Sequence, residues 1–437
     1  MTTELNAFEL NKEDIIADAT ARSESEFLIS KRKEAVEKFD SLDMIKPDKT
    51  KVDKWDFFNI TSPVVESSTY NTLEELPEGV KNLIDLENVQ NIYVQHNNTP
   101  AYLQLDEGLK NKGVIVENII EASENHPELL EKYFMTEGVK VDENKLAAYH
   151  AAMLNGGVFI YVPKDVIIEE PIQSVVLHDD ETASLFNHVL VVADEGSEVT
   201  FVENYFSNLE SSTEKINIIS EVIANNNAKI TYGSVDFLPK EMTGYVNRRG
   251  VAFDDANIDW ALGLMNDSNI IYDNTTYLMG DRSESELKIV HVGRGEQTSN
   301  FTTQIIHYGK ESNGHILKHG VMKDKGSSIF NGIGYIKHGA TKADAQQESR
   351  VLMLSGDARG DANPILLIDE DDVTAGHAAS VGRVDELQLF YLMSRGIDKK
   401  EAERLVIHGF LDAVVSALPI EKVKKQLKEV IELKVLS

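Results

Sequence analysis

The fold is decided by residues 158–382, where short β-rich segments are separated by polar corners such as Glu195-Gly196-Ser197-Glu198-Val199. Similar corners follow at residues 226–230, 254–258 and 283–287. The apolar residues that close them, with one less clear successor, lie 31, 28, 29 and 29 residues apart: Val199, Ile230, Ile258, Leu287 and Ile316. A repeat near this length, without strict identity, predicts the stacked coils of a β-solenoid. A β-sandwich is the alternative, because its turns also recur.

The residues before this stretch have a mixed pattern. Helical spacing predicts helices at residues 25–39, 128–134 and 143–154, and two strands are predicted at 93–95 and 102–105 around Asn97-Asn98-Thr99-Pro100. Trp55, Phe57 and Phe58 follow one another closely, and we interpret them as a small satellite core rather than a binding platform.

The pattern changes again after Gly382. Leu387, Phe390 and Tyr391 stand at i, i+3 and i+4, which indicates a helix face. Gly396 is expected to end that helix, Asp398 to begin another, and Pro419 to stop it. The sequence thus predicts a mainly β protein with a mostly helical region at 1–157, a β-helix core at 158–384 and a C-terminal helical domain at 385–437.

Composition excludes several classes of function. The 437 residues include 43 Lys plus Arg against 73 Asp plus Glu, and the net charge of −30 repels nucleic acid and anionic lipid. No apolar run approaches the ~18 residues that span a bilayer, and Met1-Thr2-Thr3-Glu4 does not resemble a signal peptide. We therefore expect a cytoplasmic protein that binds neither membranes nor nucleic acid. Because the chain has no cysteine, any iron–sulfur role would depend on the thiols of a partner.

No self-contained active site is visible. The chain has neither a phosphate-binding Gly-x-x-x-x-Gly-Lys-Ser/Thr loop nor a Gly-x-Ser-x-Gly serine motif. The acidic run 369–372 is interpreted as a solvated corner. His315 and His319 would lie roughly 13 Å apart along a strand, too far for paired ligation. His377 stands alone among Ala375, Gly376 and Ala378; by itself it is more often a packed or solvent-facing residue than a ligand, although its small neighbours allow close approach.

Two adjoining segments carry a resemblance. Gly376-His377-Ala378-Ala379-Ser380-Val381-Gly382, followed by the run 388–397 (Gln-Leu-Phe-Tyr-Leu-Met-Ser-Arg-Gly-Ile), resembles the C-terminal signature of the SufB/SufD family of iron–sulfur cluster assembly scaffold proteins. The resemblance continues upstream through Lys337-His338-Gly339-Ala340. It implies a right-handed parallel β-helix. Cluster-bearing SufB members carry Glu-His-Glu and cysteines, whereas this chain has Gly-His-Ala and none, so it is most similar to the SufD members. Some of these keep a cysteine where this sequence has Ala375.

The resemblance also implies a function and partners. It implies a non-catalytic scaffold in a SUF complex with a SufB-like paralogue and a SufC-like ABC ATPase, to which ATP hydrolysis belongs. His377 would be the candidate ligand of iron or of a transient iron–sulfur cluster shared with the paralogue, with none held alone. The ATPase would dock on the C-terminal helices, at Gln388, Phe390, Tyr391, Arg395, Gly396 and Ile397. A β-solenoid carbohydrate-active enzyme and a purely structural subunit are the alternatives. Whether the isolated chain forms a homodimer, or the complex binds a flavin, stays open.

Overall fold

The middle of the chain is a parallel β-solenoid, in a computed structural model that describes residues 10–418 and 421–436. From β4 onward, successive strands alternate between a nine-stranded and a ten-stranded sheet, and each strand from β4 to β17 pairs in parallel with the strand two places later, which makes about eight coils. This confirms the predicted solenoid. The strands are β1 Asn91–His96, β2 Thr99–Gln104, β3 Ile115–Asn118, β4 Gly156–Val162, β5 Ile172–His178, β6 Leu185–Ala193, β7 Glu198–Ser207, β8 Lys215–Ala224, β9 Lys229–Phe237, β10 Thr243–Ala252, β11 Asn257–Leu264, β12 Asn269–Leu278, β13 Glu284–Gly293, β14 Thr298–His307, β15 Asn313–Met322, β16 Ser327–Ile336, β17 Asp344–Met353, β18 Arg359–Ile368 and β19 Thr374–Arg383.

The solenoid core is built by stacking equivalent residues of successive coils. Because the strands pair in register, Tyr272, Phe301 and Phe330 lie above one another, with ring centroids 4.8 Å apart at each step. That distance is the spacing of neighbouring strands. Each inward side chain thus buries its surface against the equivalent residue of the next coil, which explains why a repeat without sequence identity still specifies the fold.

One corner of the coil repeats a left-handed backbone conformation. Asn227, Asp255, Arg282, Glu311 and Lys342 all have φ between 56° and 60°. The backbone N–H of each donates to a carbonyl of the following coil, as between Asn227 and Asp254 O at 2.8 Å. The left-handed turn therefore closes the coil and joins it to its neighbour.

The structure corrects the predicted register at the fourth corner. Ile258 pairs with Ser285, whereas Leu287 pairs with Trp260, so the equivalent corner begins two residues earlier than predicted. The physical reason is that Ser285 points inward and its hydroxyl donates to Ile258 O at 2.7 Å. The prediction assumed an apolar residue at this position, and it therefore chose the next inward residue instead of the serine.

The N-terminal residues cover the outer face of the nine-stranded sheet and its first coils. Their helices are α1 Lys12–Ala21, α2 Glu26–Lys38, α3 Glu78–Lys81, α4 Glu107–Asn111, α5 Ile119–Asn125, α6 Pro127–Tyr133 and α7 Lys145–Met153, with short 3-10 turns at Phe39–Ser41 and Leu73–Glu75. The predicted helices at 25–39, 128–134 and 143–154 are confirmed as α2, α6 and α7, and the two predicted strands form the antiparallel pair β1 and β2. Phe57 and Phe58 are buried beside Phe39 and Tyr149, which confirms the satellite core.

A strap at residues 48–50 links this region to the far end of the solenoid. Asn300 Nδ2 donates to Asp48 O at 2.8 Å and to Thr50 Oγ1 at 2.7 Å. Lys49 Nζ donates to Asn363 Oδ1 on β18 at 2.6 Å. The strap therefore spans the coils from β14 to β18.

The C-terminal helices fold back along the ten-stranded sheet. They are α8 Glu386–Ser394, α9 Lys399–Val415 and α10 Glu421–Leu436. Ile407, Leu411 and Leu427 pack on outward residues of that sheet such as Val235 and Val290. The predicted N-cap Asp398 is confirmed, since its side chain accepts from Glu401 N, while the predicted stop at Pro419 lies outside the described residues. None of the helices described here is long and apolar enough to cross a bilayer.

A buried lysine fixes the last turn of α10. Lys434 Nζ donates to Met265 O at 2.8 Å and to Asn266 O at 3.2 Å, and it lies 2.9 Å from Asp267 Oδ1. Burial lowers the pKa of the Lys434 ammonium to about 8, although Asp267 opposes the shift. The end of α10 is thereby attached to the solenoid by polar contacts.

Candidate interaction site at the open end of the solenoid

The last coil leaves the solenoid open. β18 and β19 each stand at the end of their sheet, and no other strand in residues 10–418 and 421–436 pairs with their outer edges. Ile368 is 45% exposed where its neighbour one coil back, Ile336, is fully buried, and Val381 is 48% exposed where Val351 is 3% exposed. Two ten-residue edges and an exposed core end form a template for another β structure.

His377 lies on this open coil. It pairs across β19 and β17 with Gln347, which is buried and on the inward face. Side chains at paired positions of parallel strands lie on the same face of the sheet, so His377 is placed over the exposed end of the core. It is exposed, and Ala375 and Ala379 are its neighbours on that face. The imidazole is thus accessible to a second chain.

A metal at His377 would need ligands from elsewhere. Among the described residues, no three His, Asp or Glu side chains converge as a metal site would require. His315 and His319 both lie on β15 but have different partners: His315 Nδ1 is 3.5 Å from Glu286 Oε1, while His319 Nδ1 is 2.7 Å from Phe410 O. The imidazole of His377 could therefore supply one position of a site completed by another chain.

The acidic run 369–372 forms the turn between β18 and β19. Asp369 Oδ2 accepts from the Tyr335 hydroxyl at 3.0 Å, and Glu370 Oε2 accepts from Gly339 N at 2.9 Å. These contacts confirm a corner, and they hold the strand that carries His377 in place.

Helix α8 follows β19 after only two residues and is strongly exposed. Asp385 begins it by accepting from Leu387 N at 2.8 Å. No residue within α8 is buried; Leu387 is 76%, Phe390 69% and Tyr391 59% exposed. An exposed apolar helix surface of this kind marks a contact site.

The bend after α8 is confirmed at Gly396. Its φ is 89°, which a residue with a side chain adopts only with strain, and its N–H donates to Met393 O at 3.0 Å. The Arg395 guanidinium lies 5.2 Å from the centre of the Tyr391 ring. The structure leaves Gln388 and Arg395 exposed and Ile397 half-buried, so the six predicted docking residues share one region beside the open coil.

The sequence alone does not identify some of the residues at and near this end of the solenoid. Ile368 continues the inward pattern of the coils before it, since it pairs with the buried Ile336, and its exposure follows from its place on the last coil. Lys318 was also missed, because lysine is rarely buried. It is 1% exposed inside the solenoid, its Nζ donates to Asn331 O at 2.7 Å, and burial lowers the pKa of this ammonium to about 7.

Together these features define a β-solenoid protein with an open last coil and an exposed apolar helix at one end. Comparison with known proteins gives the family: the model described as "SUF system FeS cluster assembly, SufBD core domain" matches residues 175–410, and "SufBD protein N-terminal region" matches residues 8–174. The chain belongs to the SufBD family, and the predicted resemblance is confirmed.

Its relatives agree with the SufD assignment within that family. The chain is 60% identical over 414 residues to the iron–sulfur cluster assembly protein SufD of Bacillus subtilis, a match that covers 94% of this chain and 95% of the relative. Iron–sulfur cluster assembly SufBD family proteins of Staphylococcus saprophyticus and Staphylococcus epidermidis are each 28% identical over 376 residues, covering 84% of this chain and 80% of the relative.

Proposed function

We propose that the chain is a non-catalytic scaffold subunit of a SUF iron–sulfur cluster assembly complex. It pairs with a SufB-like paralogue through the open coil and docks a SufC-like ABC ATPase through its C-terminal helices. The observation that carries this proposal is the pair of unpaired edges, β18 and β19, with the exposed helix α8 beside them. Membership of the SufBD family and the similarity to SufD support it. The cytoplasmic location predicted from the sequence belongs to the same proposal.

Pairing at the open coil is expected because the outer edges of its two strands have no partner strand among the described residues. The outer edges of β18 and β19 offer backbone donors and acceptors that a second solenoid, with the same strand spacing, can satisfy. Ile368 and Val381 would be covered at the same time, and full burial of such a side chain contributes about 1.5–3 kcal/mol. The partner would thus continue both the sheets and the core.

His377 would then lie at the junction of the two chains. Its imidazole can bind iron, while the thiolates that a cluster needs would come from the paralogue, because this chain has no cysteine. Iron or the cluster is the cargo of such a site and is held only by the assembled pair.

Charge placed on the open coil tests the pairing. In a co-expressed complex, Val381→Lys should reduce capture of the paralogue at least tenfold, because the ammonium would be buried without a partner. Ile167→Lys is the matched control, since Ile167 is 57% exposed near the opposite end and should leave capture unchanged. Wild-type capture by Val381→Lys would show that pairing does not use this end.

The role of His377 is tested separately. His377→Ala should leave the complex intact and lower the iron and acid-labile sulfide bound per complex after reconstitution. His338→Ala removes another exposed imidazole, 89% accessible, one corner away and should have no effect. Unchanged loading in His377→Ala would leave the chain a purely structural subunit.

A further inference from the structure

A groove lies between α8, the start of α9 and the last coils, with a volume of about 760 Å³. Its floor is apolar and includes Leu354, Leu389, Phe390, Met393 and Ile407. Phe390 is the most exposed of these floor residues, at 69%. The groove therefore presents an apolar surface within the predicted docking region.

The charge around this groove is opposite to that of the whole chain. Acidic residues outnumber basic ones 73 to 43 in the sequence, yet the groove is lined by five basic and three acidic residues: Lys323, Arg383, Lys399, Lys400 and Arg404 against Asp324, Glu386 and Glu403. A local excess of positive charge on a strongly acidic protein creates a field that selects an anionic partner surface.

Two of these cations form no ion pair with the residues that the structure describes. Arg404 binds Glu401 through two hydrogen bonds, and Lys399 lies 3.7 Å from Glu403. Arg383 and Lys400, in contrast, are exposed and form no ion pair with any residue in the described ranges 10–418 and 421–436. They border the groove on the side of β19 and at the start of α9 respectively, so both are available to carboxylates.

We propose that this groove receives a segment of the ATPase subunit that has an apolar side chain at its centre and Asp or Glu residues on its flanks. The inference rests on the proposed ATPase docking and specifies its chemistry. The apolar centre would cover Phe390 and Met393, and the flanking carboxylates would pair with Arg383 and Lys400. A lipid surface fits less well, because the chain as a whole repels anionic headgroups.

Charge reversal tests the proposal. In titrations of the purified ATPase subunit at low salt, the double variant Arg383→Glu with Lys400→Glu should bind at least tenfold more weakly than wild type. Added NaCl should weaken wild-type binding and should affect the variant much less, because the attraction between charges is already lost. Lys33→Glu, at an exposed lysine on α2, is the matched control and should bind as wild type does.

The outcomes separate the two proposals. Failure of the wild-type chain to bind the ATPase subunit would overturn the docking itself. Normal binding with an unchanged salt dependence in the double variant would overturn only the acidic-segment inference. Carbodiimide treatment of the wild-type complex should also join Lys400 to an Asp or Glu of the ATPase, identified by mass spectrometry; an ATPase complex without that cross-link would count against the inference.

Discussion

Individual buried histidines make the stability of this solenoid depend on pH. His291 is fully buried, and its Nδ1 donates to Leu264 O at 2.7 Å. Burial, assisted by the Lys434 ammonium, lowers the pKa of His291 to about 3. The native imidazole thus stays neutral while the unfolded chain takes up a proton below about pH 6.5, so stability is lost as the pH falls from about 6.5 towards 3.

We expect His291→Asn to remove this proton linkage, because an Asn amide can still donate to Leu264 O but does not titrate. Because of this one histidine, the free energy of unfolding of the wild type should fall by about 2 kcal/mol between pH 7 and pH 5, with a limiting slope of about 1.4 kcal/mol per pH unit. Urea unfolding at several pH values measures the slope, which should be smaller in the variant by that amount. His338→Asn alters an exposed histidine and should keep the wild-type slope; the same slope in His291→Asn would contradict the assignment.

At the scale of the elements, the left-handed corner can be tested at Glu311. Its φ of 57° costs a residue with a side chain about 1–2 kcal/mol, whereas its ion pair with Lys342, at 3.2 Å between exposed groups, contributes about 0–1 kcal/mol. We expect Glu311→Gly to be at least as stable as wild type, since glycine keeps the N–H that donates to Thr341 O. Glu311→Val should be less stable by about 1–2 kcal/mol, because a β-branched residue fits this conformation poorly. Equal urea midpoints for the three proteins would refute this account.

The elements also show what a sequence can and cannot predict here. Gly196 and Asn227 are residues that tolerate a left-handed turn, and the apolar residues after them mark the inward positions, so the coil was predictable. Ser285 was not, because its inward position is stabilised by a hydrogen bond rather than by apolar burial.

The open end was predictable only in part. The family signature points to His377 and to α8. The exposure of Ile368 and Val381, in contrast, depends on which coil is the last, and only the three-dimensional structure identifies that coil. The three-part division of the chain and the roles of the six docking residues stay predictions.

At the scale of the whole molecule, we expect the attachment of the C-terminal helices to the solenoid to depend on the polar contacts of the buried Lys434 ammonium. Lys434→Met fills similar space but leaves Met265 O without the Lys434 donor, which should cost roughly 1–3 kcal/mol, while Asn266 O keeps the hydrogen bond from Gln297 Nε2 at 3.0 Å. Hydrogen exchange in α10 should become faster, while exchange in the central strands stays unchanged. Lys425→Met, at a 72% exposed position of the same helix, is the control. Wild-type protection of α10 in Lys434→Met would mean that apolar packing alone holds the helix.

The strap at residues 48–50 fits one particular length of the solenoid. Each coil adds one strand spacing, about 4.8 Å, so the number of coils between the first strands and β18 can change only in whole steps. Lys49 donates a hydrogen bond to Asn363 on β18. One added or missing coil would move Asn363 by a whole strand spacing along the solenoid and break this contact. These hydrogen bonds can therefore form only at one spacing between β14 and β18, and that spacing also sets the distance from the strap to His377 on the last coil.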